Sequence, residues 1–148
     1  MTRRKDLRRI EQAMVELNRL SRSGQADAVR AERAKVPVPG AAQRVLYQLV
    51  EHGDARLMEL ARRMETDPGI VSRQVGLLER EGLVERRRDP QDGRARVLRL
   101  TARGRAVSRR LRSTQDETFS SLLRSWSGAE LESAAEVMER LVRALRSG

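Results

Sequence analysis

The segment Asp89-Pro90-Gln91-Asp92-Gly93 constrains this chain more than any other. It is dense in turn-forming residues and lies between two short runs. Leu83 to Arg88 is brief and charged, and Ala95 to Leu100 alternates, with Leu98 and Leu100 to one side and Arg99 to the other. Alternation at a period of two is the mark of a half-buried strand, and two such runs around a turn make a β-hairpin. A lone two-stranded hairpin is at best marginally stable in water.

What flanks it is helical. Val45, Leu46, Leu49 and Val50 form one apolar face, closed by His52-Gly53. Asp54 is a capping candidate for a short helix whose inner face is Leu57, Leu60, Ala61 and Met64. Thr66-Asp67-Pro68 is the next start signal, since Pro in a first helical turn lacks only an N–H that would have no partner there. Val71, Val75 and Leu78 face inward from that helix, which stops at Gly82. Two short helices with a few residues between them form a helix-turn-helix. Followed directly by the hairpin, they predict a winged helix-turn-helix.

The two ends of the chain read differently. Leu7, Ile10, Met14, Leu17 and Leu20 recur at helical spacing until Ser21-Arg22-Ser23-Gly24. Residues 25–35 form a polar helix, broken by Val36-Pro37-Val38-Pro39-Gly40. Thr101 caps a long helix carrying Val107, Leu111, Thr118 and Leu122. Ser127 with Glu130 is a capping box opening a last helix, in which Leu131, Ala134, Met138, Leu141 and Leu145 make a coiled-coil-like seam. The expectation is a mainly α chain with a small β-hairpin wing. Residues 37–100 are its DNA-binding domain, and residues 1–36 and 101–148 its helical dimerisation region. The dimerisation residues are Leu7, Ile10, Met14, Leu17, Leu122, Trp126, Leu131, Met138, Leu141 and Leu145.

Charge narrows the partner. The 148 residues carry a net charge of +10, and all basic residues except Lys5 and Lys35 are arginine or the single His52. Codon bias alone enriches Arg evenly, but residues 86–112 hold eleven arginines against Asp89 and Asp92, while residues 116–148 are net negative. A localised basic stretch is the footprint of a polyanion. There is no cysteine, which removes disulfides and thiolate metal sites. No signal-peptide h-region or membrane-length apolar run is seen, so a cytoplasmic protein without a membrane partner is expected.

The candidate contacts follow from groove chemistry. The N-terminal half of the second helix enters a major groove with Pro68, Gly69, Ser72 and Arg73 exposed and Gln74 and Gly76 beside them. Arg reads guanine and Gln reads adenine through two hydrogen bonds each, and Ser serves a base or a phosphate. At the hairpin tip, Asp92-Gly93-Arg94 projects an arginine into a narrow minor groove, with Asp92 holding Arg94 in position. Arg86, Arg88 and Arg96 on the hairpin, with Arg87, Arg99 and Arg103 nearby, are phosphate contacts. The competing reading of both stretches is a solvated surface carrying ordinary arginines.

Leu57-Met58-Glu59-Leu60-Ala61, Val71-Ser72-Arg73, Leu78 through Arg86, Asp89 through Arg96 and Leu100-Thr101 together resemble the MarR family of regulators, most specifically in the wing. The resemblance covers residues 43 to 105. It implies a homodimer on a pseudo-palindromic operator of double-stranded DNA, acting as a repressor and released by a small aromatic effector. The peroxide-sensing branch of that family uses a cysteine, which this chain lacks.

Two rival classes have less material. His52 is the only histidine, so Ser-His and Cys-His nucleophiles are not available in the usual form, and no phosphate loop, metal-ligand cluster or cofactor motif is present. Glu79 and Glu81 lie on different helix faces and read as solvated. Sequence-specific RNA modules stack bases on aromatics, and Tyr47, Phe119 and Trp126, the only aromatics, lie outside the candidate surface. Phe119, Leu122 and Trp126 read as interface core in preference to a ligand pocket shared with Tyr47 and Met14.

Overall fold

A computed structural model describes residues 2–22, 24–36 and 38–148; Ser23 and Pro37, one in each expected break, lie outside the described residues. The elements run α1 (Thr2–Arg22), α2 (Gln25–Ala34), α3 (Gly40–His52), α4 (Leu57–Arg63), α5 (Pro68–Arg80), β1 (Val84–Arg88), β2 (Arg96–Leu100), α6 (Ala102–Leu122) and α7 (Gly128–Ser147). The chain divides into two compact units, Met1–Thr114 and Gln115–Gly148. The order is that of a winged helix-turn-helix, mostly helical with one antiparallel hairpin.

The first unit holds the core. Val45, Leu46 and Leu49 of α3, Leu60 of α4, Val71, Val75 and Leu78 of α5, Leu83, Val84, Leu98 and Leu100 of the hairpin, and Val107 and Leu111 of α6 are all buried. Every aliphatic position assigned to the inner face of α5 is therefore buried. Each such side chain contributes roughly 1.5–3 kcal/mol on burial. The hairpin is thus one wall of the core, which is how so short a sheet stays folded. Its register pairs Val84 with Leu100, Arg86 with Leu98 and Arg88 with Arg96.

Helix ends show why the elements start and stop where they do. Asp67 caps α5, its Oδ1 accepting the backbone N–H of Gly69 at 2.8 Å and of Ile70 at 3.4 Å. Thr66 belongs to the turn before it, where its hydroxyl donates to the Met64 carbonyl at 2.9 Å. That turn also places Glu65 in the left-handed region at φ 49°, and the Thr66 N–H closes α4 on the Ala61 carbonyl at 3.0 Å. At the far end of α5, Gly82 takes φ 70° and the Leu83 N–H returns to the Leu78 carbonyl at 2.9 Å. Thr101 then joins two helices, its Oγ1 accepting from the Gly104 N–H at 2.9 Å and donating to the Gly82 carbonyl at 2.6 Å.

One start differs from expectation. Asp54 does not cap α4; Arg56 occupies the cap position, with its N–H donated to Glu59 Oε2 at 3.3 Å. The cause is Ala55. Its N–H donates to the Leu98 carbonyl at 3.2 Å and its carbonyl accepts from the Leu98 N–H at 2.8 Å. That bridge to the hairpin keeps Ala55 extended, so the helix cannot begin before Leu57.

In the second unit, the expected capping box is formed. Ser127 Oγ accepts from the Glu130 N–H at 3.3 Å, and Glu130 Oε2 accepts from the Ser127 N–H at 2.7 Å. No residue of α7 is buried within the chain.

Candidate nucleic-acid interface

α5 carries the first group of candidates. Gly69, Ser72 and Arg73 are exposed on its N-terminal half, while Pro68, Gln74 and Gly76 are half-buried. The Asp67 cap and the buried Val71, Val75 and Leu78 hold the helix so that this face stays outward. Gly69 lies against its own cap: a Cβ there would meet Asp67 Oδ1 at 2.9 Å.

The hairpin carries the second group. Arg88 and Arg96 stand directly opposite one another at the end of the ladder, a like-charge pairing that is unfavourable without an anion between them. Asp92, Gly93 and Arg94 are exposed at the tip. Among the described residues, Arg73, Arg88, Arg94 and Arg96 make no ion pair.

Several assignments change. Arg86 is engaged, its Nε 3.0 Å from Glu79 Oε1, so Glu79 is a tie between α5 and β1 and not merely solvated. Arg87 bonds Glu85 at 2.9 Å, and Arg99 lies 4.0 Å from Asp54. Asp92 does hold Arg94, but through the backbone: its Oδ1 accepts the Arg94 N–H at 3.1 Å. Of the residues weighed for a ligand pocket, Met14, Tyr47 and Phe119 do not line the cavity of about 800 Å³ among α1, α2 and α3. Trp126 borders a shallow depression of about 370 Å³ in the second unit. Phe119, Leu122 and Trp126 are exposed in the single chain.

Arg56 is the residue the sequence reading passed over. Its Nε and Nη2 donate to Asp89 Oδ2 at 3.0 and 2.6 Å, and Nη2 lies 3.9 Å from Asp92 Oδ2. Asp89 Oδ1 accepts the Gln91 N–H at 2.9 Å. The Gln91 hydrogen bond, then the Arg56 guanidinium, hold the Asp89 carboxyl below its ordinary range, and Asp89 in turn raises Arg56. No local signal marked it, because the bridge between Ala55 and Leu98 sets where α4 starts and so where Arg56 stands.

The surface is thus an exposed helix N-terminal half plus a cationic β-ribbon, the two shapes that fit a major groove and a flanking minor groove. Comparison with known proteins agrees. The MarR family model matches residues 41–95, which span α3 through the hairpin tip. The uncharacterized HTH-type transcriptional regulator YxaD of Bacillus subtilis (strain 168) is 34% identical over 100 residues, covering 68% of this chain and 70% of YxaD. The crystal structure of a MarR family transcription regulator superposes with a TM-score of 0.84 at 25% identity, over 99% of this chain and 95% of that one. The PcaV transcriptional regulator of Streptomyces coelicolor, crystallised in complex with its natural ligand, has a TM-score of 0.60 at 27% identity, over 82% of this chain and 86% of PcaV. Regulators of this type bind DNA and act as dimers, with ligand binding in some. An HTH regulator as relative, a family model over the helix-turn-helix and wing, and a fold shared along nearly the whole chain meet in one conclusion: the chain belongs to the MarR family of winged helix-turn-helix, DNA-binding transcription regulators.

Proposed function

We propose that the chain acts in the cytoplasm as a homodimeric repressor on a pseudo-palindromic operator. In this reading α5 reads the major groove through Ser72, Arg73 and Gln74, with Gly69 and Gly76 allowing close approach. Arg94 enters the adjacent minor groove, and Arg88 and Arg96 meet phosphates. The observation that carries it is that Arg73, Arg88, Arg94 and Arg96 have no ion pair among the described residues, on elements whose inner faces are buried in one core. Residues 37–100 then form the DNA-binding part, and residues 1–36 and 101–148 the dimerisation part. The exposed Leu7, Ile10 and Leu17 of α1 and the exposed Leu131, Met138 and Leu145 of α7 support that division. Repression is steric: a dimer spanning half-sites about one helical turn apart occludes polymerase.

Release by a small aromatic effector is part of the same proposal. Its support is an open cavity of about 800 Å³, lined by Asn18 and Ser21 of α1, Ala28 and Ala31 of α2, and Ala41 and Arg44 of α3, together with the ligand complex of PcaV. Fluorescence anisotropy against duplex and single-stranded DNA across a salt series tests the core claim. Duplex affinity should exceed single-strand affinity and fall steeply with salt, with a log–log slope of about −0.9 per phosphate neutralised. Absence of duplex binding at low salt overturns it.

A further inference from the structure

We infer that Arg56, a residue outside both the recognition helix and the wing, is a positioning residue that sets where the wing-tip Arg94 lies. The inference rests on the reading above in which Arg94 contacts DNA. The β1–β2 ladder ends at the Arg88–Arg96 pair, so residues 89–95 have no strand partner. Within that loop, the Asp89 N–H donates to the Ala95 carbonyl and the Ala95 N–H to the Asp92 carbonyl, both at 3.0 Å. Asp89 Oδ1 takes the Gln91 N–H, and Asp92 Oδ1 takes the Arg94 N–H. These bonds give the loop an internal shape but no fixed bearing on α5.

The bearing comes from Arg56. Its guanidinium bonds Asp89 Oδ2 through two nitrogens and lies near Asp92 Oδ2, so it grips the two side chains that organise the tip. Arg56 is itself anchored. Its N–H is bonded to Glu59 at the start of α4, and its neighbour Ala55 exchanges two hydrogen bonds with Leu98 of β2. One side chain therefore connects the frame of the helix-turn-helix to the loop that carries Arg94. Arg88 and Arg96 need no such help, because the ladder itself places them. The fork also matters: a lysine supplies the charge as a point, without the paired N–H geometry.

The test is a double-mutant cycle on duplex binding with Arg56→Lys, Arg94→Ala and the double variant, each checked for an unchanged thermal midpoint. Residues coupled through one network interact by roughly twofold to 150-fold in a binding constant. The expected result is that Arg56→Lys weakens binding by an amount in that range, while the double variant binds no worse than Arg94→Ala. Wild-type affinity for Arg56→Lys would mean that Arg56 only offsets the charge of Asp89 and Asp92, and would overturn the inference. So would effects that multiply in the double variant, which would mean that Arg56 acts apart from Arg94. If Arg94→Ala itself binds as wild type, the wing reading fails and the inference falls with it; the first two outcomes overturn the inference alone.

Discussion

Among the described glycines, Gly104 alone lies where an added Cβ would run into backbone. A Cβ at this position would overlap the backbone carbonyl oxygen of Leu83 and crowd its carbonyl carbon at 2.9 Å and Leu100 Cδ2 at 3.2 Å. The close approach exists because Thr101 bonds both the Gly104 N–H and the Gly82 carbonyl, drawing the start of α6 onto the end of α5. Backbone cannot rotate aside as a side chain can. Gly104→Ala should therefore destabilise the first unit by about 2 kcal/mol or more, as overpacking does; chemical denaturation read through the shift in midpoint at constant slope measures it. The contact was not legible in the sequence. Gly104 reads there as an ordinary glycine early in a helix, where it would only weaken helical propensity.

At the scale of elements, caps and turns did most of the placing, and they are local chemistry. The Asp67-Pro68 start of α5, the Gly82 stop and the Ser127–Glu130 box were all readable from residue type and spacing, and each is found. The box also makes a pH prediction. The Ser127 N–H, then the Ser127 hydroxyl, bond the Glu130 carboxylate and lower its pKa. A carboxyl lowered on folding contributes stability above its ordinary unfolded value, and that contribution is lost as pH falls through the lower folded value. The difference in thermal midpoint between wild type and Glu130→Gln should thus be present at neutral pH and shrink on acidification below about pH 4.5. A difference independent of pH would remove the charge from the cap. What the sequence missed at this scale was the start of α4. Asp54 is a sound local cap, but Ala55 is claimed by Leu98 across the chain, and tertiary pairing overrides a local preference.

At the scale of the whole molecule, the apolar seam of α7 is left largely exposed. Leu131, Met138 and Leu145 are exposed and Leu141 is half-buried, although their spacing is that of a helix built to pack. Because these side chains bury little here, replacing Leu141 and Leu145 with glutamate should leave the fold of a single chain intact and change assembly instead. Analytical ultracentrifugation should show monomers, and duplex affinity should fall at least tenfold, since one half-site then replaces two. A monomer binding the operator as tightly as wild type would remove dimerisation from the proposed mechanism. No helix among the described residues is long and apolar enough to cross a membrane, and no His, Cys, Asp or Glu cluster there can hold a metal ion.

The hairpin shows where local and tertiary information divide. Residues 83–100 determined their own strands, turn and buried face, because period-two alternation and turn chemistry act between neighbours in the chain. The clustering of arginine along residues 86–112 was equally plain. Which of those arginines remain without an ion pair was decided only by folding. Glu79 of α5 meets Arg86, and Arg56 meets Asp89 from 33 residues away, because the hairpin folds back onto the helix-turn-helix. An ion pair needs two groups within about 4 Å, and for partners far apart in sequence that distance is set by the core beneath them. The sequence alone determined that this chain carries a basic wing; the tertiary structure decided which arginines of that wing keep their charge for a partner and what holds the tip in place.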